Sequence, residues 1–429
     1  WWQAAAAACR RALDRLAPQR VRAVATCATS GTILLVDSAG HALTPGLMYD
    51  DARAGAEAQR VNALGPPLRT SAGWALPKLV WLLGHEPDLP PGARLAHQAD
   101  LVTRRLAGHA VPSDWSHALK SGYDLVAERW PRELLDELGV PDGLLPEVVA
   151  PGTRLGEVCS GAAAETHIPA GTPVVAGMTD GCAGQIAAGA LRVGQWNSVL
   201  GTTLVLKGVA DDVVRDPNGV LYCHRSPDGE WLPGGASSSG AGVLPARFAG
   251  RDLDELTRQA AASAGTDVIA YPLVSRGERF PFVAPDAEAF TIGAPASDGE
   301  HAAALLQGLA FVERLCFDYV DLLGAPTGGE LSLTGGAARN AYWCQLRADV
   351  LGRPVRLLDS AESAFGMAVL AAAGGGRLAD TAQRMVRVRE VFEPGGEGAR
   401  RRERYGRFVS ELERRGWLGG ELAVHARSR

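Results

Sequence analysis

The chain has 429 residues, 46% of them apolar and 21% charged, with a formal net charge of −5. That balance excludes a disordered chain and offers no basic surface for nucleic acid or anionic lipid, and the length exceeds one ordinary core, so two domains are expected. No apolar run approaches the roughly 20 residues that cross a bilayer, so no membrane partner is expected. In chain order, Ala4 to Leu16 is rich in Ala, Arg and Leu and predicts a helix. Val21 to Ala28 and Thr32 to Asp37 predict strands, with a turn at Ser38 to His41 before the extended Ala42 to Tyr49. Trp74 to Leu83 and Gln98 to Leu106 predict helices, and Pro146 to Gly156 is a connector. Pro173-Val174-Val175-Ala176 predicts a buried strand, and a helix starting at Asp180 leads to the crossover Leu191 to Gln195, placing the domain boundary between residues 190 and 191. A hairpin at Gly201, a glycine-rich turn at Gly234 to Gly240 and a long helix from His301 to Leu323 follow. Gly374-Gly375-Gly376 ends a helix, and the tail from Glu397 is heavily charged. Within that tail Tyr405, Phe408, Leu412 and Trp417 recur at helical spacing, which predicts a surface helix capping the second domain. The alternation of helices and strands argues an α/β fold, and no repeat of solenoid period is present.

Three glycine-rich runs carry the chemistry. In the first, Gly177-Met178-Thr179-Asp180-Gly181-Cys182, a carboxylate stands at the C-terminal end of a buried strand, flanked by glycines that let a ligand come close. A general base would sit there, although an Asp beside Gly is more often a turn residue. The second, Leu200-Gly201-Thr202-Thr203-Leu204, offers backbone N–H groups and two hydroxyls to an anion, or is an ordinary hairpin. In the third, Leu331-Ser332-Leu333-Thr334-Gly335-Gly336, a strand runs into Gly-Gly and then a helix, so a helix N-terminus and bare backbone face one point, which suits a nucleotide. It is not the Gly-x-Gly-x-x-Gly dinucleotide fingerprint. The 7 Cys are scattered with no Cys-x-x-Cys and the 9 His are dispersed, which predicts reduced thiols in a cytoplasmic protein without a zinc site; the apolar Ala4 to Ala8 lacks a basic leader, so no signal peptide is expected.

In this order, the three runs resemble those of the FGGY family of carbohydrate kinases, within the actin-like ATPase superfamily. Further stretches resemble its motifs: Tyr49-Asp50-Asp51-Ala52-Arg53, Lys78-Leu79-Val80-Trp81, Ser113-Asp114-Trp115-Ser116-His117-Ala118, Gly277-Glu278-Arg279-Phe280-Pro281 and Ala364-Phe365-Gly366-Met367-Ala368. The resemblance spans nearly the whole chain. It implies two actin-like (ribonuclease H-like) domains with a cleft between them, residues 1–190 binding sugar and residues 191–429 binding nucleotide. The family's early Asp-x-Gly-Thr, which cradles phosphate and holds magnesium, does not precede Asp180. We read this as an N-terminal truncation; the alternative is a non-catalytic sugar- or nucleotide-binding pseudokinase or slow ATPase.

The resemblance implies an ATP-dependent kinase with Mg2+, in which Asp180 takes the proton of a sugar hydroxyl. Gly201, Thr202, Thr203 and Gly240 would face the phosphates. Adenine and ribose would lie near Gly335, Gly336, Asn340 and Trp343, the last being either a ring platform or a buried helix residue. On the sugar side, Thr29, Ser30 and Gly31 leave room for a polyol, and Gly181 lets it approach. Asp51 and Arg53 either bond the sugar or pair with each other; Asp114 reads as a helix cap. Ala28 to Thr32 and Gly46 to Arg53 look more like D-ribulose kinases than xylulokinases, so a ketopentose is expected, D-ribulose first and D-xylulose second. The protein is expected to be a monomer or homodimer. An actin- or chaperone-type ATPase shares the fold but would leave the sugar-side motifs Asp51 to Arg53 and Gly277 to Arg279 as coincidence.

Overall fold

The computed structural model describes residues 1–66, 68–86, 88–395 and 398–429; Glu397, where the charged tail was expected to begin, lies outside the described residues. The chain divides into two compact units. The first comprises Trp1–Ala187, His224–Gly229 and Glu362–Met385; the second comprises Ala188–Cys223, Glu230–Ala361 and Val386–Arg429.

The first unit is built around short strands. Val24–Ala25 pairs in parallel with Pro173–Val175, which pairs antiparallel with Arg154–Glu157. The expected strand Val21 to Ala28 is therefore cut to two residues, because its partner supplies only three. A single further bridge joins Ala28 to Thr179 and carries the parallel pairing towards Asp180. Gly177 makes that approach possible: a Cβ there would stand 1.8 Å from the Thr26 carbonyl oxygen. Ile33–Val36 is buried along its whole length and pairs with Arg94–His97. The helix Ala75–His85 covers it with Leu76, Leu79 and Leu82. The first helix starts at Trp2 rather than Ala4, since the Trp2 indole is anchored on Glu165 at 2.7 Å and its ring packs beside Leu106 and Val158. The helix Ser363–Ala373 returns late in the chain to pack on the helix Asp180–Ala187, so closely that a Cβ on Gly366 would stand 1.9 Å from the Ala183 carbonyl oxygen.

The second unit carries a seven-stranded mixed sheet in the order Leu221–Arg225, Trp231–Ala236, Leu204–Gly208, Trp196–Leu200, Leu331–Thr334, Val355–Leu358, Val388–Phe392. The hairpin predicted at Gly201 joins Trp196–Leu200 to Leu204–Gly208. Leu331–Thr334 runs parallel to the first of these. The long helix Asp298–Leu322 is capped by the Ser297 hydroxyl and is buried on most sides. The tail helix Gly398–Arg414 places Tyr405, Phe408 and Leu412 in the core, and Trp417, past its end, packs on Phe290.

Candidate active site

Asp180 opens the helix Asp180–Ala187 and is exposed. One of its carboxylate oxygens accepts the Gly181 N–H at 2.8 Å; among the described residues the other accepts no hydrogen bond. The backbone behind it is held at several points. Asp180 N–H donates to the Ala28 carbonyl at 2.9 Å, Ser363 Oγ donates to the Asp180 carbonyl at 3.0 Å, and Thr179 N–H donates to Ser116 Oγ at 2.9 Å. A free carboxylate on a fixed backbone, at a strand end and a helix start, is what proton transfer to or from a bound hydroxyl requires.

The same unit brings together most of the residues expected on the sugar side. Thr29 Oγ1 lies 2.6 Å from Thr32 Oγ1, and Ser30 Oγ is buried without a hydrogen-bond partner among the described residues. Gly31 has φ of +90°, and a Cβ there would stand 2.9 Å from the Gly73 carbonyl oxygen, so the residue has to be glycine. Of the two readings of Asp51 and Arg53, mutual pairing is what is seen: Arg53 Nε contacts both Asp51 oxygens at 2.9 and 3.0 Å. The Arg53 hydrogen bond, outweighing partial burial, holds the Asp51 carboxyl below its ordinary value. The Arg53 guanidinium also lies over Trp81, 4.9 Å from the ring centroid.

Lys78, which the sequence marked only as part of a motif, joins two of these segments. Its ammonium donates to the Gly31 carbonyl at 3.1 Å and to the Met48 carbonyl. Burial pushes its pKa down from 10.5 to about 8. The neutral amine keeps two N–H groups for two carbonyls, so deprotonation does not break the link. Because the folded value lies below the unfolded one, the unfolded chain holds the extra proton between these limits and stability rises with pH there. We expect the melting temperature of the wild type to gain on that of Lys78→Met between about pH 8 and 10.5. Thermal melts of both across that range check it; parallel curves would show that Lys78 does not titrate there.

In the second unit the turn Gly201 to Thr203 is one member of a backbone cluster. Gly201 N–H is spent on the Thr203 carbonyl at 3.1 Å, which corrects its expected role as an anion donor; Thr202 is exposed and Thr203 half-buried. Ser237 and Ser239 exchange backbone hydrogen bonds with Leu204 of this hairpin: Ser237 N–H donates to Leu204 O, and Leu204 N–H to Ser239 O. A Cβ on Gly240 would stand 2.2 Å from the Thr202 carbonyl oxygen, so its glycine is needed for contact with the hairpin. Gly335 has φ of +87°, and a Cβ there would meet the Leu200 carbonyl oxygen at 2.6 Å; a Cβ on Gly336 would meet nothing. Sequence reasoning missed what holds this cluster. Glu278 is buried and accepts from Ser237 Oγ, Ser238 N, Ser239 Oγ, Tyr271 OH and Arg279 N, at 2.6 to 3.1 Å. Gly277 to Arg279, taken from the sequence as a sugar-side motif, thus braces the glycine loops of the second unit.

The helix does not start at Gly-Gly as expected. A 3-10 turn, Gly336–Arg339, intervenes before the helix Ala341–Leu351. Asn340 caps that helix, its Oδ1 accepting from Trp343 N–H at 3.0 Å and its Nδ2 donating to Thr257 Oγ1 at 3.1 Å. Trp343 is 3% exposed within the core. Of its two readings the buried one is observed, and the side chains of Asn340 and Trp343 are spent on structure. Thr202, Thr203, Gly240, Gly335 and Gly336 remain around the Gly201 turn as a glycine-lined surface of the kind that fits phosphate. Among the described residues no cluster of three or more His, Cys, Asp or Glu is placed to hold a metal. Mg2+ keeps most of its waters and needs only one or two protein carboxylates, and the exposed Asp180 offers one in the first unit.

Residues 1–187 match the family model described as FGGY family of carbohydrate kinases, N-terminal domain, and residues 197–374 match that of the C-terminal domain. The chain is 26% identical to the xylulose kinase of Escherichia coli, over 82% of this chain and 75% of that protein. It is 29% identical to the autoinducer-2 kinase of Klebsiella pneumoniae, over 96% of this chain and 84% of that one. The solved structure of the xylulose kinase from Rhodospirillum rubrum superposes with a TM-score of 0.84 at 26% identity, covering 96% of this chain and 89% of that chain. The α/β, two-domain actin-like architecture expected from the sequence is that of these structures. No helix among the described residues is long and apolar enough to cross a membrane.

Proposed function

This chain belongs to the FGGY family of carbohydrate kinases, and from that premise we propose that it transfers the γ-phosphate of ATP to a hydroxyl of a ketopentose, with Asp180 taking the hydroxyl proton. The observation that carries the reading is the Asp180 carboxylate, exposed, with one oxygen oriented by Gly181 and the other open. A sugar hydroxyl is a weak nucleophile, and a carboxylate within hydrogen-bond reach removes its proton as the new P–O bond forms. The glycine cradle of the second unit supports the nucleotide side, where the Thr202 and Thr203 hydroxyls would face phosphate oxygens. Mg2+ bound with ATP would offset phosphate charge, with Asp180 as a carboxylate able to hold it through its waters.

Relatives named xylulose kinase favour D-xylulose as acceptor. The Ala28 to Thr32 segment favours D-ribulose by resemblance, and we place it second. Ser30, whose buried hydroxyl has no protein partner, is the side chain we assign to a sugar hydroxyl. ADP release with Mg-ATP, measured across D-xylulose, D-ribulose, L-ribulose, glycerol and no sugar, tests the proposal. Release that depends on one ketopentose is expected. Release strongest with glycerol would overturn the acceptor, and release indifferent to sugar would make the protein an ATPase.

A further inference from the structure

The first unit contains a buried polar chain that the reaction does not itself call for. Asp114 and His117 are 4% and 0% exposed. Asp114 Oδ1 accepts from Ser116 N at 2.9 Å, Ser116 Oγ at 2.5 Å and His117 N at 3.2 Å. Its Oδ2 faces His117 Nδ1 at 2.5 Å. The other ring nitrogen, Nε2, faces the Ala28 carbonyl oxygen at 3.3 Å. Both neighbours of this imidazole are therefore pure acceptors. Either neutral tautomer would point a ring lone pair at an acceptor, in a place water does not reach, whereas the doubly protonated ring satisfies both.

The two arms of this chain end on the same short segment. Ala28 O also accepts the Asp180 N–H, and Ser116 Oγ also accepts the Thr179 N–H. Asp114 thus reaches Asp180 by two routes, one through His117 and Ala28, the other through Ser116 and Thr179. We propose that His117, with both ring nitrogens donating between Asp114 and Ala28, is a positioning residue that sets the backbone of Asp180 for proton transfer. The inference rests on Asp180 being the base. Burial disfavours the charged ring, but the Asp114 charge and hydrogen bond outweigh it and raise the His117 pKa above its ordinary value. Asp100 adds to that attraction, and the His97 ring lies 5.8 Å away, itself held by Asp100, Ser113 and Ser121.

A base displaced by about 1 Å loses on the order of 10²-fold in rate. His117→Gln should lower kcat by about that factor while the KM values for sugar and ATP move less than about three-fold. Ser116→Ala, which cuts the second route alone, should give a smaller loss of the same kind. A kcat unchanged in His117→Gln, or a KM that rises with the loss, would overturn the proposal. Asp180→Asn run beside it separates the two readings. Turnover retained there removes the base, whereas an inactive Asp180→Asn with a fully active His117→Gln removes only the positioning role. If His117→Gln does not fold, the wild-type chain still decides the matter. Nitrogen-15 shifts of its labelled histidines near neutral pH should show the His117 ring protonated at both nitrogens; a neutral tautomer would overturn the proposal.

Discussion

Asp180→Asn should abolish sugar phosphorylation and leave ATP binding nearly unchanged. A general base contributes about 10²- to 10⁴-fold to a rate, so kcat should fall by at least the lower of these. The substitution is a clean one here. The hydrogen bonds that fix the residue run through its backbone N–H to Ala28 and its carbonyl from Ser363, and neither involves the carboxylate. The amide oxygen of Asn can still accept the Gly181 N–H that Oδ1 now accepts. What is lost is the basic oxygen alone. Steady-state kinetics with D-xylulose, paired with calorimetric ATP binding, check this. Turnover within about tenfold of wild type would take Asp180 out of the role.

The placement of Asp180 at a helix start after a buried strand was legible because its signal is local: an apolar β-branched run, then glycine and a carboxylate. The hairpin at Gly201 was legible for the same reason, two apolar strands around Gly-Thr-Thr. Other features depend on partners far along the chain. His117 lies 89 residues from the carbonyl it donates to, and nothing in Ser113 to Ala118 announces Ala28. The i, i+3 spacing of Asp114 and His117 announces only the cap, which is present. Ser363–Ala373 follows six of the second unit's seven sheet strands in the chain yet packs on the Asp180 helix, so a single cut in sequence does not describe the two units. Asn340 and Trp343 misled because Gly-Gly before a helical pattern reads as a helix start. The positive φ of Gly335 opens a 3-10 turn instead, and the helix takes its own cap at Asn340, five residues on. Asp51 and Arg53 gave two readings that sequence could not separate, since a short Asp-x-Arg spacing serves a mutual pair and a ligand equally well.

Glu278 is where the second large effect is expected, and two substitutions there should differ sharply. Its Oε2 accepts three hydroxyls, from Ser237, Ser239 and Tyr271, while its Oε1 accepts three backbone N–H groups, from Ser238, Arg279 and, at 3.5 Å, Phe280. Hydroxyls rotate and can accept as well as donate; backbone N–H groups cannot. In Glu278→Gln the amide oxygen can keep the backbone N–H groups and the NH2 can donate to the rotated hydroxyls. The loss should be modest, about 1 to 2 kcal/mol. In Glu278→Ala every one of these donors loses its acceptor in a place closed to water, and each buried unsatisfied group costs about 1 to 3 kcal/mol. The total should reach at least about 3 kcal/mol even after partial relaxation. The functional consequence follows from what the loop touches. Ser237 and Ser239 share backbone hydrogen bonds with Leu204, and Gly240 lies against Thr202 and Thr203. Loosening the serines frees the turn that we assign to phosphate. Denaturant unfolding together with the KM for ATP therefore tests both links at once. Glu278→Ala should lose stability and ATP affinity together, and Glu278→Gln should keep most of each. Equal losses in the two variants would mean that the negative charge, rather than the pattern of acceptors, is what the loop requires.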